Sequence, residues 1–194
     1  MNNNQMYDYV VLGGGIVGVS TALSLITKHP DKRILLLEKE KSFAQHQTGH
    51  NSGVIHAGVY YQPGTLKAQF CREGLKETID FCSLHQIPYQ QCGKLLVATS
   101  DIELNRMNEL YERCKSNEIE VEILDQTQLS EIEPNVQGIG ALLVKSTGIV
   151  NYQLITKKMS EQYEAMGGDY LLDSEIVNLK EDNNKIEIIT KTET

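Results

Sequence analysis

Apolar residues come in short runs at the start of the chain and at helical spacing through its middle. Residues 8–12 (D-Y-V-V-L) form a β-branched run ending in glycines, the pattern of a buried strand. Ile16, Val19, Leu23 and Ile26 then share one face of a helix predicted over 16–28, which Pro30 stops. Residues 33–38 (R-I-L-L-L-E) read as a second buried strand. Strand, glycine turn, helix and strand in close succession make a βαβ unit, whose two strands run parallel.

The pattern changes at residue 39. Residues 39–62 are rich in Gly, His, Ser, Asn and Gln without a sustained period, so a long irregular crossing is expected. A helix over 64–86 carries Leu66, Phe70, Leu75, Ile79 and Cys82 on one stripe. A strand over 95–99 leads to a helix opened by Ser100, with Glu103 completing a capping-box signature. Leu104, Met107, Leu110, Tyr111 and Cys114 make its apolar side. Strands over 119–124 and 140–144 flank a short helix over 126–132, and a further helix over 152–166 stops at Gly167-Gly168. Residues 170–179 and 185–190 alternate like two strands joined by a turn at 181–184.

Composition narrows the function classes. Eighteen Lys plus Arg against 26 Asp plus Glu give a net charge of −8, which argues against a nucleic-acid binder, since that affinity rests on phosphate neutralisation. No run approaches the roughly 18 apolar residues of a membrane-spanning helix. Residues 1–5 are polar and carry no secretory or transit pattern, so a cytoplasmic-side location is expected. Cys71, Cys82, Cys92 and Cys114 show no C-x-x-C pair and read as reduced, packed thiols.

Gly13-Gly14-Gly15-Ile16-Val17-Gly18 matches G-x-G-x-x-G at a strand-to-helix junction. Gly13 permits the tight turn, Gly15 lets a pyrophosphate approach the backbone, and Gly18 allows close helix–strand packing. The phosphate would sit at the helix N-terminus, where free N–H groups and the dipole favour an anion. Glu38 ends the second strand twenty residues after Gly18, placed to accept hydrogen bonds from a ribose and to repel a 2′-phosphate. A plain NAD domain would continue in alternating helices and strands. The polar segment and mixed region that follow here favour FAD, with a substrate domain inserted into the nucleotide domain.

The segment His46-Gln-Thr-Gly-His50-Asn-Ser-Gly-Val-Ile-His56-Ala-Gly58 is the most unusual stretch. Gly49 and Gly53 break the helix that an i, i+4 metal-ligand pair would need, so no metal is expected. Together with L-L-E-K-E, C-G-K-L-L-V-A-T-S and S-T-G-I-V-N-Y, this segment resembles the L-2-hydroxyglutarate oxidase/dehydrogenase family, in its bacterial form. Those enzymes are FAD-dependent members of the D-amino-acid-oxidase superfamily. The likeness runs from Tyr7 to about Leu179.

The resemblance implies an α/β fold: a Rossmann-like FAD-binding domain with an inserted α+β substrate domain, incomplete at the C-terminus. Residues 1–62 would be the first part of the FAD-binding domain, 63–150 part of the substrate domain, and 151–194 the return. Gly13, Gly14, Gly15 and Gly18 would hold the pyrophosphate, Glu38 the adenosine ribose, and Lys39 would lie beside the adenine. Thr48, Asn51 and Ser52 would run along the pyrophosphate and ribityl chain, and Ile176 would lend backbone groups to the adenine edge. His56 would orient the substrate or assist its deprotonation. The implied reaction is oxidation of L-2-hydroxyglutarate to 2-oxoglutarate, with electrons passed to a quinone or other acceptor. Peripheral association with the inner membrane is implied by the likeness alone.

Oxidising a 2-hydroxy acid needs a base for the hydroxyl proton and cations for its carboxylates. His56 is a candidate base, because an imidazole titrates near working pH. Lys94 is either a carboxylate partner or an exposed strand-edge lysine, and Arg72 reads as a solvated helix residue. Members of the family run to roughly twice this length. A non-catalytic fragment, or a related FAD oxidase acting on another 2-hydroxy acid, an amino acid or glycerol 3-phosphate, therefore stands as the alternative.

Overall fold

A computed structural model describes residues 6–191. The polar residues 1–5, and residues 192–194, lie outside the described residues. The chain forms two units: one takes the chain up to Ser52 and again from Asn151, and the other is Gly53–Val150. The sequence reading put the first crossing after Gln62. It falls ten residues earlier because Val54–Ile55 already pairs with a strand of the second unit.

The first unit is built on a parallel three-stranded sheet. Strands β1 (Tyr9–Leu12) and β2 (Ile34–Leu37) pair in parallel and are joined by helix α1 (Ile16–Lys28). All four residues of β2 are buried, as a central strand of a covered sheet requires.

The other unit follows in sequence, as β3 (Val54–Ile55), α2 (Leu66–Leu84), β4 (Tyr89–Gln90), β5 (Lys94–Ala98), α3 (Asp101–Ser116), β6 (Glu122–Asp125), α4 (Gln126–Ile132), β7 (Gly140–Val144) and β8 (Gly148–Val150). Its larger sheet is antiparallel in the order β5-β7-β6, and a smaller one runs β3-β8-β4. Alternation sorts the larger sheet into two faces. Ala98 and Leu142 pack with Met107 of α3, while Leu124 and Ala141 pack with Leu129 of α4.

The chain then returns to the first unit through α5 (Tyr152–Ala165) and β9 (Asp169–Leu171), which pairs in parallel with β2. Val19, Ala22 and Ile26 of α1 meet Ile34, Leu36 and Tyr163 in the core of this unit. A hairpin of β10 (Ile176–Asp182) and β11 (Lys185–Thr190) closes the described chain.

Three sequence expectations need correction. Residues 170–179 are not one strand: Asp173 takes φ +51°, ending β9, and the chain restarts as β10 in the hairpin. The apolar stripe of α2 is only partly used, since Leu66 and Phe70 are 67% and 62% exposed while Cys82 is buried. Glu103 does not close a capping box on Ser100. Its carboxylate accepts from the Thr99 N–H and hydroxyl, both at 2.7 Å, and the complete box is Asp125 with Gln128 at the start of α4.

Candidate functional site

The glycine turn extends the β1–β2 ladder by one bond before leaving it. The Gly13 N–H donates to the Leu37 carbonyl at 2.8 Å, and Gly13 then takes φ +102°, where L side chains are strained. A Cβ on Gly18 would stand 1.8 Å from the Gly13 carbonyl oxygen, so only glycine lets α1 start this close to the turn. Gly15 is the N-cap of α1 and has no side chain with which to cap it. Instead the Thr48 hydroxyl oxygen, 32 residues away, accepts from the Ile16 N–H at 2.9 Å. This junction presents backbone donors and the positive end of a helix dipole, with no acidic residue in the first turn of α1.

Glu38 lies just past β2 and is only 7% exposed. A buried carboxylate needs hydrogen-bond partners. Glu38 has one on each oxygen: Oε2 accepts from the Gly14 N–H at 2.5 Å, and Oε1 from the Glu40 N–H at 2.9 Å. Its own backbone is held by the chain leaving β9. The Glu38 N–H donates to the Leu171 carbonyl, and the Ser174 and Asp173 N–H groups donate to the Glu38 and Glu40 carbonyls. That crossing carries the chain to Ile176, the first residue of β10, where the ladder to β11 is irregular.

The remaining candidates of this unit lie in the segment between β2 and Ser52. Lys39 is exposed, with its ammonium 3.7 Å from Glu40. His46 Nε2 lies 2.8 Å from the Glu40 carboxylate, and this hydrogen bond holds Glu40 below the usual carboxylate range. His50 Nδ1 lies 3.0 Å from the His46 carbonyl. The Asn51 amide donates to the carbonyls of Gln47 and Thr48, fixing the turn that presents Thr48 to α1. Ser52 is exposed at the end of this stretch. Among the described residues no three His, Cys, Asp or Glu side chains gather into a metal-binding group.

His56 belongs to the other unit and is exposed just after β3, where its carbonyl accepts from the Cys71 thiol at 3.2 Å. Arg72 pairs with Glu118 at 2.6 Å. Lys94 is half-buried, with its ammonium 4.8 Å from the centre of the Tyr60 ring and 3.4 Å from the Tyr60 hydroxyl. Tyr60 was not singled out from the sequence. Its signal was weak, two tyrosines closing a polar stretch.

The family described as FAD dependent oxidoreductase matches residues 8–194. L-2-hydroxyglutarate dehydrogenase of Escherichia coli (strain K12) is 52% identical over 186 residues, covering 96% of this chain and 44% of that protein. The mitochondrial L-2-hydroxyglutarate dehydrogenase of Mus musculus is 45% identical over 170 residues, covering 87% of this chain and 37% of that protein. Among solved structures, L-alpha-glycerophosphate oxidase from Mycoplasma pneumoniae with FAD bound superposes with a TM-score of 0.87 at 24% identity, covering 98% of this chain and 51% of that one. Glycine oxidase from Geobacillus kaustophilus gives 0.84 at 16% identity, covering 95% and 51%. The chain thus spans about half, or less, of the length of the relatives it matches.

Proposed function

The chain belongs to the FAD-dependent oxidoreductase family, and from that premise we propose that it supplies the FAD-binding unit and part of the substrate domain of an enzyme oxidising L-2-hydroxyglutarate to 2-oxoglutarate. The observation that carries the cofactor part is the buried Glu38 carboxylate tied to the Gly14 N–H beside the N-terminus of α1, whose first turn carries no acidic residue. The identity of 52% to an L-2-hydroxyglutarate dehydrogenase supports the substrate.

The residues fit a dinucleotide. Nothing would meet a Cβ on Gly13 within 4 Å, so the front of the turn is open, while Gly18 and Thr48 hold its back against α1. In this reading Gly13, Gly14, Gly15 and Gly18 receive the pyrophosphate, with α1's dipole opposing its charge. Each Glu38 oxygen, already accepting one backbone N–H, keeps acceptor capacity for a ribose hydroxyl. Lys39 flanks the adenine, Ile176 offers backbone groups to its edge, and Thr48, Asn51 and Ser52 line the chain between pyrophosphate and flavin. Bound FAD supplies a hydride acceptor. His56, in the Gly53–Val150 substrate unit, orients the hydroxy acid or holds the proton leaving its hydroxyl on a ring nitrogen. Electrons pass on to a quinone or other acceptor, and the protein associates peripherally with the cytoplasmic side of the inner membrane.

The test is the visible spectrum of the purified protein as it occurs in the cell. Anaerobic bleaching of its bound flavin by L-2-hydroxyglutarate, and not by glycine or glycerol 3-phosphate, is the expected result. Bleaching by an amino acid or glycerol 3-phosphate alone would overturn the substrate. His56→Ala should lower turnover while keeping flavin bound, and unchanged turnover would remove His56 from the reaction.

A further inference from the structure

Within Gly53–Val150, most cations are accounted for by carboxylates or by solvent. Arg72 pairs with Glu118, Lys76 with Asp80, Lys115 with Glu112 and Lys145 with Glu122. Lys67 and Arg106 are exposed. Lys94 and Arg113 differ, because both are half-buried and neither has a carboxylate within 4.0 Å among the described residues. Both are directed at Tyr60: the Lys94 ammonium at its ring and hydroxyl, and the Arg113 guanidinium at its carbonyl, 3.4 Å away.

Lys94 opens β5 opposite Val144 of β7. Glu122, a carboxylate at this end of the sheet, is held by the adjacent Lys145 at 2.5 Å. A cation partly withdrawn from water and left without a counter-charge loses some solvation that the Tyr60 ring and hydroxyl partly replace. Tyr60 is itself a fixed seat. Arg113 holds its carbonyl, the buried Asn117 amide donates to the Tyr61 carbonyl at 2.8 Å, and Gly58 turns the chain at φ +85°. Yet Tyr60 is 57% exposed, so the seat is accessible to a ligand. An ammonium has three donors and the Tyr60 hydroxyl engages one.

We propose that Lys94, seated on Tyr60, is the receptor in this unit for a carboxylate of the substrate, and so a determinant of specificity for hydroxy acids. This rests on the reading of the protein as a hydroxy-acid oxidoreductase. It names the group that recognises the substrate's charge, and gives Tyr60 and Arg113 positioning roles behind it.

The experiment compares Lys94→Met, Lys94→Arg and Tyr60→Phe with the parent, using the flavin-loaded protein as it occurs in the cell. The readouts are flavin absorbance, KM and kcat for L-2-hydroxyglutarate, and the inhibition constant of glutarate, which carries the carboxylates without the reacting hydroxyl. Loss of a charge-assisted bond predicts that Lys94→Met raises KM and the glutarate constant together, by about 10- to 100-fold, at unchanged flavin content. Lys94→Arg should recover most of that loss, and Tyr60→Phe, which keeps the ring, should shift both constants by only a few-fold. Both constants within twofold of the parent in flavin-loaded Lys94→Met would overturn the proposal. Lys94→Gln is judged by the same criterion should the Met variant lose flavin. A parent that oxidises a different carboxylic acid sinks the L-2-hydroxyglutarate reading alone, because Lys94 is then judged on that acid and on glutarate. A parent that oxidises no carboxylic acid sinks both.

Discussion

The Gly14 N–H and the Glu38 carboxylate meet at 2.5 Å across the glycine turn, in a contact that is buried and spans 24 positions of sequence. Glu38, proposed above to serve a ribose, ties the turn to the end of β2, with its other oxygen on the Glu40 N–H.

These two backbone anchors predict the behaviour of Glu38→Gln. Two backbone N–H groups fall on two different oxygens, and a glutamine offers only one acceptor oxygen, so one N–H would face an NH₂ group. The loss should be about 1–3 kcal/mol, read as a lowered unfolding midpoint and an FAD dissociation constant raised about tenfold or more. An unchanged FAD titration would show that the carboxylate is not needed at the turn.

Gly18→Ala and Gly74→Ala should have opposite effects. The added methyl at Gly18 meets a backbone oxygen at 1.8 Å, which no rotamer relieves, so α1 must shift away from the turn and flavin content should fall sharply. At Gly74, inside α2, nothing lies within 4 Å of the added Cβ, so alanine should stabilise by about 0.5–1 kcal/mol through its helix preference. Flavin-to-protein absorbance ratios and thermal midpoints of the two variants check both directions.

Thr48→Val should separate capping from bulk. It keeps the shape but removes the acceptor of the Ile16 N–H, and N-cap losses cost about 1 kcal/mol. Thr48→Ser retains the oxygen and should behave as the parent in thermal unfolding and FAD titration. Equal midpoints for Val and Ser would show that water replaces the cap.

Local signals were legible in the sequence, and pairings across long separations were not. Helix α1 falls on residues 16–28 because its apolar spacing and glycine entry agree, and β1 and β2 pair in parallel as the βαβ pattern requires. By contrast β3, β4 and β8 span two or three residues each, too few for a period, and exist only because they find one another. At the glycine turn, the tight backbone at Gly13 and the close approach at Gly18 were readable from spacing. The Thr48 cap and the Tyr60–Lys94 contact join residues 32 and 34 positions apart, and depend on where the loops return. The break at Asp173 did have a local mark, the polar run Asp173-Ser174-Glu175, but a reading of residues 170–179 as one strand passes over it. Its cause is a pair of backbone bonds to Glu38 and Glu40 that no local pattern encodes.

Tyr163 gives the first unit an alkaline limit. Its ring is fully buried in the core, and its hydroxyl is shared between the Ile34 carbonyl of β2 at 2.7 Å and the Asp169 carbonyl of β9 at 2.9 Å. Burial, and then the nearby Asp169 charge, push its ionisation well above the ordinary tyrosine value. Below about pH 10 the folded and unfolded chains both keep the phenolic proton, and this contribution to stability is fully present. Above that value the unfolded chain releases the proton while the folded one retains it. Stability then falls by about 1.4 kcal/mol per pH unit until the folded-state pKa is passed. Tyr163→Phe should cost about 1–2 kcal/mol at neutral pH through the lost hydrogen bond. It should also flatten the decline above pH 10, so that parent and variant stabilities converge as pH rises. Urea midpoints followed by circular dichroism from pH 7 to 11 test this, and parallel curves for the two proteins would exclude Tyr163 as the titrating group.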